Sequence, residues 1–451
     1  MFKNSKNITL IGIGLSNLFC LKYLNIINKK FNINIIDKNE NPKFLSNTTS
    51  IVNEIYKKNI KLYFGNKNTK LINNIIYNSD YVIISPSINK NNYNVNTLKV
   101  INDFDIFFSL IKNFKKIILV TGTNGKSTIV YIIYKILINC KFKVFIGGNI
   151  GVPILYSLYK KYDYYIIELS SFQIENISFK YKNLISIISN IDFDHLDRHI
   201  NFEIYKDIKL KIFDSSLYCL FNIKNLKYIK KKIDKKYITF GFKNSFYNIK
   251  KIDNNFYLYK NDKLIINCNK LKIIGINNYI NILSAIAATD ILNVNKKIQI
   301  DTIKKIKNLK YRYNVRKINN NIWINDSKST NLHSTISAIN NTKNIFKFNN
   351  IHLILGGDRK NINFIKILKY LNKNFIVYCF GKDRFYINNI IKNSYVFYKL
   401  EMLFYFLINK IKCNDIILFS PGCSSLDQYL NFMHRGYSFN SLIESYFFND
   451  K

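Results

Sequence analysis

The sequence predicts an α/β protein of three units, each built on a mainly parallel sheet. Three observations lead there. Apolar, β-branched runs at 8–11, 33–36, 117–120, 184–188 and 416–419 alternate with segments long enough for helices. Most of these runs end in glycine or polar turns, the place where open parallel sheets hold ligands. The chain has 451 residues, and the usual domain size divides that length into about three.

The first unit covers residues 1–105. A strand at 8–11 runs into Gly12-Ile13-Gly14-Leu15-Ser16-Asn17, a helix follows from about 18 to 28, and a second strand at 33–36 ends in Asp37. A later strand at 81–84 ends in Ser85-Pro86-Ser87. The turn is Rossmann-like, but Asn17 stands where a dinucleotide fingerprint has its third glycine. A nucleotide diphosphate fits such a turn as well as a nicotinamide cofactor does.

The second unit, 106–309, carries Thr121-Gly122-Thr123-Asn124-Gly125-Lys126-Ser127-Thr128 between a strand at 117–120 and a helix at 129–139. Strand, glycine turn with Lys, then helix is the arrangement of a P-loop ATPase. Backbone N–H groups and the helix N-terminus face the phosphates, Lys126 reaches the β/γ-phosphates, and the Ser127 hydroxyl is placed for Mg²⁺. Only two residues separate Gly122 from Gly125-Lys126, where the usual pattern has four. Glu168 ends a strand ahead of Leu169-Ser170-Ser171-Phe172-Gln173, a position from which a carboxylate can bind Mg²⁺ opposite the loop. Asn190-Ile191-Asp192-Phe193-Asp194-His195-Leu196-Asp197-Arg198-His199 concentrates acids, His and Arg after a strand and reads as a site, without the spacing of a zinc helix. Lys209 by itself is one Lys among 62, the 68 basic residues less six Arg. A helix at 278–290 holds Ala285-Ile286-Ala287-Ala288 and predicts close helix packing.

The third unit, 310–451, has strands at 323–325, 352–355, 375–378 and 416–419 and is again Rossmann-like. Three polar loops follow its strands: Asp326-Ser327-Lys328-Ser329-Thr330-Asn331, Gly356-Gly357-Asp358-Arg359-Lys360, and Ser420-Pro421-Gly422-Cys423-Ser424-Ser425. Their common placement predicts one ligand rim. Asn/Lys-rich stretches at 89–96 and 223–236 read as solvated loops or insertions.

The formal net charge is +40, which raises the question of nucleic acid. The lysines are spread over the whole length, no nucleic-acid motif is present, and only six basic residues are Arg, the better residue for base and phosphate contacts. Lys, Asn, Ile, Tyr and Phe share A/T-rich codons, which accounts for the charge without a specific nucleic-acid partner. Seven Cys without a CxxC pair fit a reducing cytoplasm, and no apolar run reaches membrane-spanning length.

These motifs resemble the Mur ligase family, ATP-dependent amide ligases of peptidoglycan synthesis. The phosphate loop, Glu168-Leu-Ser-Ser-Phe-Gln173, Asn190 with Asp194-His195 and Asp197-Arg198, Asn325-Asp-Ser-Lys328 and Gly356-Gly-Asp358 follow the family's order over essentially the whole chain. Ser420-Pro421, Ser424-Ser425-Leu426-Asp427-Gln428-Tyr429, Asn431-Phe432 and Arg435-Gly436 are most similar to the branch that adds D-glutamate. The resemblance implies ligation of D-glutamate to UDP-N-acetylmuramoyl-L-alanine through an acyl phosphate, with ATP and one or two Mg²⁺, in a cytoplasmic monomer. It implies that Lys126, Glu168, His195 and Lys209 are catalytic; that Ser127, Glu168, His195 and Lys209 serve the metal, Lys209 as a carbamylated lysine; and that Gly122 to Thr128 with Asn281, Arg312 and Asp326 bind ATP. Leu15, Ser16 and Asn149 fall on the UDP-sugar side, and Lys328, Thr330, Lys360, Ser425 and Phe432 on the D-glutamate rim.

Some positions depart from the family. Asn277 replaces a His, Asn314 an acid, Lys38-Asn39 a Thr-Arg pair, Ser87 a Gly, and Arg359 a Gly. The sequence leaves open a sibling ligase or folylpolyglutamate synthase for another amino acid, and a degenerate member that binds nucleotide without turnover.

Overall fold

The computed structural model describes residues 2, 5–27, 31–40, 59–65, 68–93, 99–178, 181–192, 199, 201–229, 236–253 and 255–448. Three sheets follow one another along the chain. The first contains β1 (Asn7–Ile11), β2 (Asn32–Asp37), β3 (Ile60–Phe64), β4 (Tyr81–Ile84) and β5 (Val100–Ile101), all parallel, in the order β3-β2-β1-β4-β5. The second contains β6 (Ile117–Thr121), β7 (Val144–Gly148), β8 (Tyr164–Glu168), β9 (Asn183–Ile188), β10 (Ser216–Asn222), β11 (Tyr237–Gly241), β12 (Tyr247–Ile252), β13 (Asn255–Lys260) and β14 (Lys263–Asn267). Its order is β14-β13-β12-β11-β10-β9-β6-β8-β7, parallel except for the antiparallel meander β12 to β14. The third contains β15 (Asn314–Ile318), β16 (Asn321–Asn325), β17 (Ile351–Gly356), β18 (Phe375–Phe380), β19 (Tyr395–Phe397) and β20 (Ile416–Gly422) in the order β15-β16-β20-β17-β18-β19, parallel except for the β15–β16 pair.

β6 lies inside its sheet between β8 and β9, and all five of its residues are buried. A strand covered on both faces has to be apolar throughout, which is why 117–120 shows no alternation. The helix after it, Lys126–Asn139, packs against the helix Ile276–Ile291 in one core with Ile129, Ile133 and Ile136. Ala285, Ala287 and Ala288 are fully buried there, the close approach that the alanine cluster predicts.

Several boundaries and segments differ from expectation. The helix after β6 begins at Lys126 instead of 129, because Gly125 at φ 86° serves as its N-cap and brings Lys126, Ser127 and Thr128 into the first turn. The first-unit helix runs Leu15–Ile26, starting where Gly14 is extended. Residues 223–229 are not a solvated loop: Ile223–Asn225 is a 3-10 turn continued by the helix Leu226–Ile229, the Asn222 side chain caps the Lys224 amide at 3.1 Å, and Asn225 and Ile229 are buried. In the other Asn/Lys stretch, Lys90–Asn92 is likewise a 3-10 turn, and 94–96 and 230–235 lie outside the described residues.

Asn17 explains the missing third glycine. Fully buried, its Nδ2 donates to the carbonyls of Ile11, Gly12 and Ile83 at 3.0, 2.7 and 3.3 Å, tying β1 to β4 behind the turn.

The third sheet contains a buried polar relay of Tyr378, His352 and Asp415. His352 Nδ1 accepts from the Tyr378 hydroxyl at 2.9 Å, and Nε2–H donates to Asp415 at 3.0 Å. This pattern needs the neutral ring, and burial lowers the His352 pKa despite the opposing Asp415. A His held neutral in the fold and free to protonate when unfolded stabilises above the unfolded pKa and loses that contribution as pH falls below about 6.5. Denaturant unfolding midpoints of the unsubstituted protein should therefore fall between pH 7 and 5.5 more steeply than those of His352→Gln. Equal slopes would contradict the assignment.

Candidate active site

The phosphate loop is built from behind by the end of β9. Thr123 N–H donates to Asn190 O at 2.9 Å, Asn124 N–H donates to Asn190 Oδ1 at 2.9 Å, and Asn190 Nδ2 donates to Asn124 O at 3.1 Å. Gly122 adopts φ 144° with Ser189 Oγ where a Cβ would lie, and at Gly125 a Cβ would sit 2.5 Å from Asn281 Oδ1. Both glycines are thus required by conformation and by space. The first intrahelical bond runs from Ile129 N–H to Gly125 O, so the amides of Lys126, Ser127 and Thr128 precede it and lie at the positive end of the helix. Lys126 Nζ turns back onto the carbonyls of Gly122 and Thr123 at 2.7 and 2.9 Å.

Glu168 ends β8 beside this loop and is buried. Its Oε1 accepts from Asn149 Nδ2 at 2.8 Å, while Oε2 is buried with no hydrogen-bond partner. A carboxylate oxygen left so costs free energy unless a cation or proton compensates it, and next to a phosphate loop a divalent cation fits. Asn149, expected on the UDP-sugar side, holds this carboxylate through that hydrogen bond. Arg312 reaches in from the third unit and donates from Nη2 to Ser127 Oγ at 2.9 Å. Burial lowers its pKa, opposed by Glu168 and Asp326.

On the other side of the loop, Thr123 Oγ1 donates to Asp192 O at 3.2 Å and accepts from Asp192 N–H at 3.0 Å, with the Tyr205 hydroxyl 3.1 Å away. Lys209 is fully buried, donates to Gly122 O at 3.0 Å and lies over the Tyr205 ring at 4.6 Å. This places a lysine that the residues alone could not single out directly beneath the phosphate loop. His199 Nε2 meets Ser171 Oγ at 2.9 Å and stacks on Phe172. Ser170 and Gln173 form a capping box for the helix Ser171–Asn176, so half of that motif is structural. His195, with Asp194, Asp197 and Arg198, lies outside the described residues.

In the third unit the polar loops do converge, and Arg435 joins them. It is fully buried and donates to Ser327 O at 2.8 Å, Ser327 Oγ at 3.1 Å, Cys423 O at 3.1 Å and Gly356 O at 3.4 Å. Burial pushes it down to about 10. An isolated bridge between Asp358 and Ser424 closes the same rim. Lys328 Nζ lies over the Phe432 ring at 4.2 Å, Ser425 is buried, and Lys360 takes φ 48° with its N–H on Asp358 at 2.9 Å. Asp326 accepts from Tyr313 N–H at 3.0 Å and from the Ser420 hydroxyl at 2.9 Å, and burial lifts it to about 7.

Asn314 and Arg359, two of the departures, have local partners. Asn314 accepts from Tyr311 N–H in the turn where Tyr311 and Tyr313 have positive φ. Arg359 lies over Tyr386 at 3.8 Å and pairs with Asp383 at 3.3 Å. In the first unit Asp37 is occupied by the turn itself, accepting from Ile13 N–H at 2.8 Å and Asn39 N–H at 2.9 Å. Leu15 is exposed at the mouth of that turn, and the Ser16 hydroxyl is bonded to Asp103, whose carboxyl burial raises to about 6.

Residues 6–102 match the Mur ligase MurD-like N-terminal domain and residues 120–289 the Mur ligase middle domain. The UDP-N-acetylmuramoylalanine–D-glutamate ligase of Buchnera aphidicola subsp. Schizaphis graminum is 38% identical over 452 residues, covering 97% of either chain. That of Haemophilus influenzae is 32% identical over 449 residues, covering 98% of either chain. The chain belongs to the Mur ligase family. Its fold is similar to that of UDP-N-acetylmuramate-alanine ligase MurC from Thermotoga maritima, with a TM-score of 0.59 at 19% identity over 98% of this chain and 100% of that one. MurF ligase from the same organism, solved with ADP, gives 0.59 at 17% identity over 85% of this chain and 92% of that one.

Gly125→Ala tests the loop. The substitution strains a left-handed backbone and meets Asn281, at a cost of about 1–3 kcal/mol. ATP affinity by calorimetry should fall at least about tenfold in a variant that still unfolds cooperatively. Unchanged affinity would show that the loop does not hold the phosphates.

Proposed function

We propose that the chain ligates D-glutamate to UDP-N-acetylmuramoyl-L-alanine with formation of ADP and phosphate, in cytoplasmic peptidoglycan precursor synthesis. The observation that carries the reading is the glycine-built loop beside the buried Glu168 oxygen that no hydrogen bond satisfies, with a polar rim from a third unit. The names and full-length similarity of the relatives select the amino acid. Among the described residues no helix is long and apolar enough to cross a membrane.

In this reading residues 1–105 hold the UDP-sugar, 106–309 hold ATP and 310–451 hold the amino acid, in a monomer. A carboxylate oxygen of the alanyl group attacks the γ-phosphorus, and the bond to the ADP oxygen breaks. The D-glutamate amine then attacks the acyl carbon, phosphate leaves with the bonding pair, and the amine gives up a proton. Lys126 swings from the loop carbonyls to the transferring phosphoryl group, while the amides at 126–128 hold the phosphates. Asn281, Arg312 and Asp326 serve the rest of ATP. Ser127, Glu168, His195 and Lys209 hold one or two Mg²⁺, which when bound neutralise phosphate charge. Carbamylation of Lys209 would convert a buried cation into an anion beside them. Leu15, Ser16 and Asn149 meet the UDP-sugar, and Asn149 also orients Glu168. Lys328 and Lys360 supply positive charge to the D-glutamate carboxylates, with Thr330, Ser425 and Phe432 shaping the rim.

Phosphate release from ATP with Mg²⁺ and UDP-N-acetylmuramoyl-L-alanine should depend on D-glutamate and not on L-glutamate, L-lysine or meso-diaminopimelate. Lys126→Ala should abolish it. Release with another amino acid would make the chain a sibling ligase, and no release with any of them would make it a binding member without turnover.

A further inference from the structure

The third unit touches the phosphate loop at a place that none of the roles above uses. The helix Leu332–Ile345 begins directly after the loop that carries Lys328 and Thr330, with Asn331 as its N-cap accepting from Ser334 N–H at 2.9 Å. The next two residues reach across to the central unit. Asn124 Nδ2 lies 3.2 Å from His333 Nδ1, the Ser334 hydroxyl donates to Asn124 Oδ1 at 3.0 Å, and His333 Nε2 lies 3.3 Å from Asp192 Oδ2.

One neutral tautomer satisfies the whole set. With the proton on Nε2, His333 donates to Asp192 and accepts at Nδ1 from the Asn124 amide, whose oxygen is left for Ser334. Both ends of the set are rigid. The Asn124 backbone is tied to Asn190 on either side, and the Asp192 backbone holds Thr123 through two hydrogen bonds. His333 therefore grips Asn124 inside the loop and Asp192, which holds the loop at Thr123, from a helix turn that starts at the amino-acid rim.

We infer that His333 is a positioning residue that clasps the phosphate loop to the amino-acid unit, so that seating of the amino acid and of ATP are coupled through Asn124 and Asp192. The inference rests on the ligase reading above. Coupling of this kind is worth about five- to 150-fold in affinity. It acts on the relative placement of two units and leaves the UDP-sugar turn alone.

The test is steady-state ADP release by the full chain, varying each substrate in turn. His333→Ala should raise the KM for D-glutamate about tenfold and leave the KM for UDP-N-acetylmuramoyl-L-alanine within about twofold. His333→Asn keeps an acceptor near the Nδ1 position and should recover most of the loss. A His333→Ala variant with an unchanged KM for D-glutamate would overturn the inference. So would one in which kcat and every KM change together without rescue by Asn, the result of simple structural damage. If the unsubstituted protein releases no ADP, the ligase reading fails by itself, and hydrogen exchange still decides the clasp. Faster exchange of the amides at 122–126 in His333→Ala than in the unsubstituted protein supports it, and equal exchange overturns it.

Discussion

The active site depends on one constraint: the turn after β6 must hold its backbone open toward a ligand with no side chain of its own in the way. Two glycines with positive φ make the turn. The end of β9 holds it, because the Asn190 side chain takes one loop amide and one loop carbonyl while its own carbonyl takes a second amide. A backbone N–H can bind phosphate well only if it is already oriented, since ordering it at the moment of binding would cost conformational entropy. Neighbouring strands in a parallel sheet end at the same edge. Glu168 from β8, Asn190 after β9 and the loop after β6 therefore meet with little added cost.

Charge around the loop follows the same logic. Lys126, Lys209 and Arg312 converge on it, and each donates to a loop carbonyl or to the Ser127 hydroxyl. The acids nearby are placed against specific partners, Glu168 on Asn149 and Asp326 on Tyr313 and Ser420. Gathering buried groups of both signs in one place is costly for stability. They make sense where a polyanion and its cations complete the set.

Much of this was legible in the residues, and the limits are physical. Strands such as β6 and the first half of β20 stood out because burial on both faces demands unbroken apolar runs, and the site loops stood out because they follow such runs. The meander β12 to β14 did not, because it lies at a sheet edge where Lys, Asn and Tyr are tolerated and no glycine marks its turns. Residues 223–229 looked solvated because asparagines that cap turns cannot be told from asparagines in loops without knowing what is buried. Arg435 stood out only as part of the Arg435-Gly436 motif, but its work is to fasten three loops, which only their convergence reveals. His333 carried no signal at all, since its partners lie about 140 and 210 residues away in the sequence.

The central claim is that ATP bound at this loop activates the substrate carboxylate directly. The measurement is the fate of a heavy-oxygen label placed in the terminal carboxylate of UDP-N-acetylmuramoyl-L-alanine during a complete turnover with D-glutamate. Passage through an acyl phosphate carries one labelled oxygen into the released inorganic phosphate. Phosphate free of label, alongside normal formation of the amide, would contradict the account.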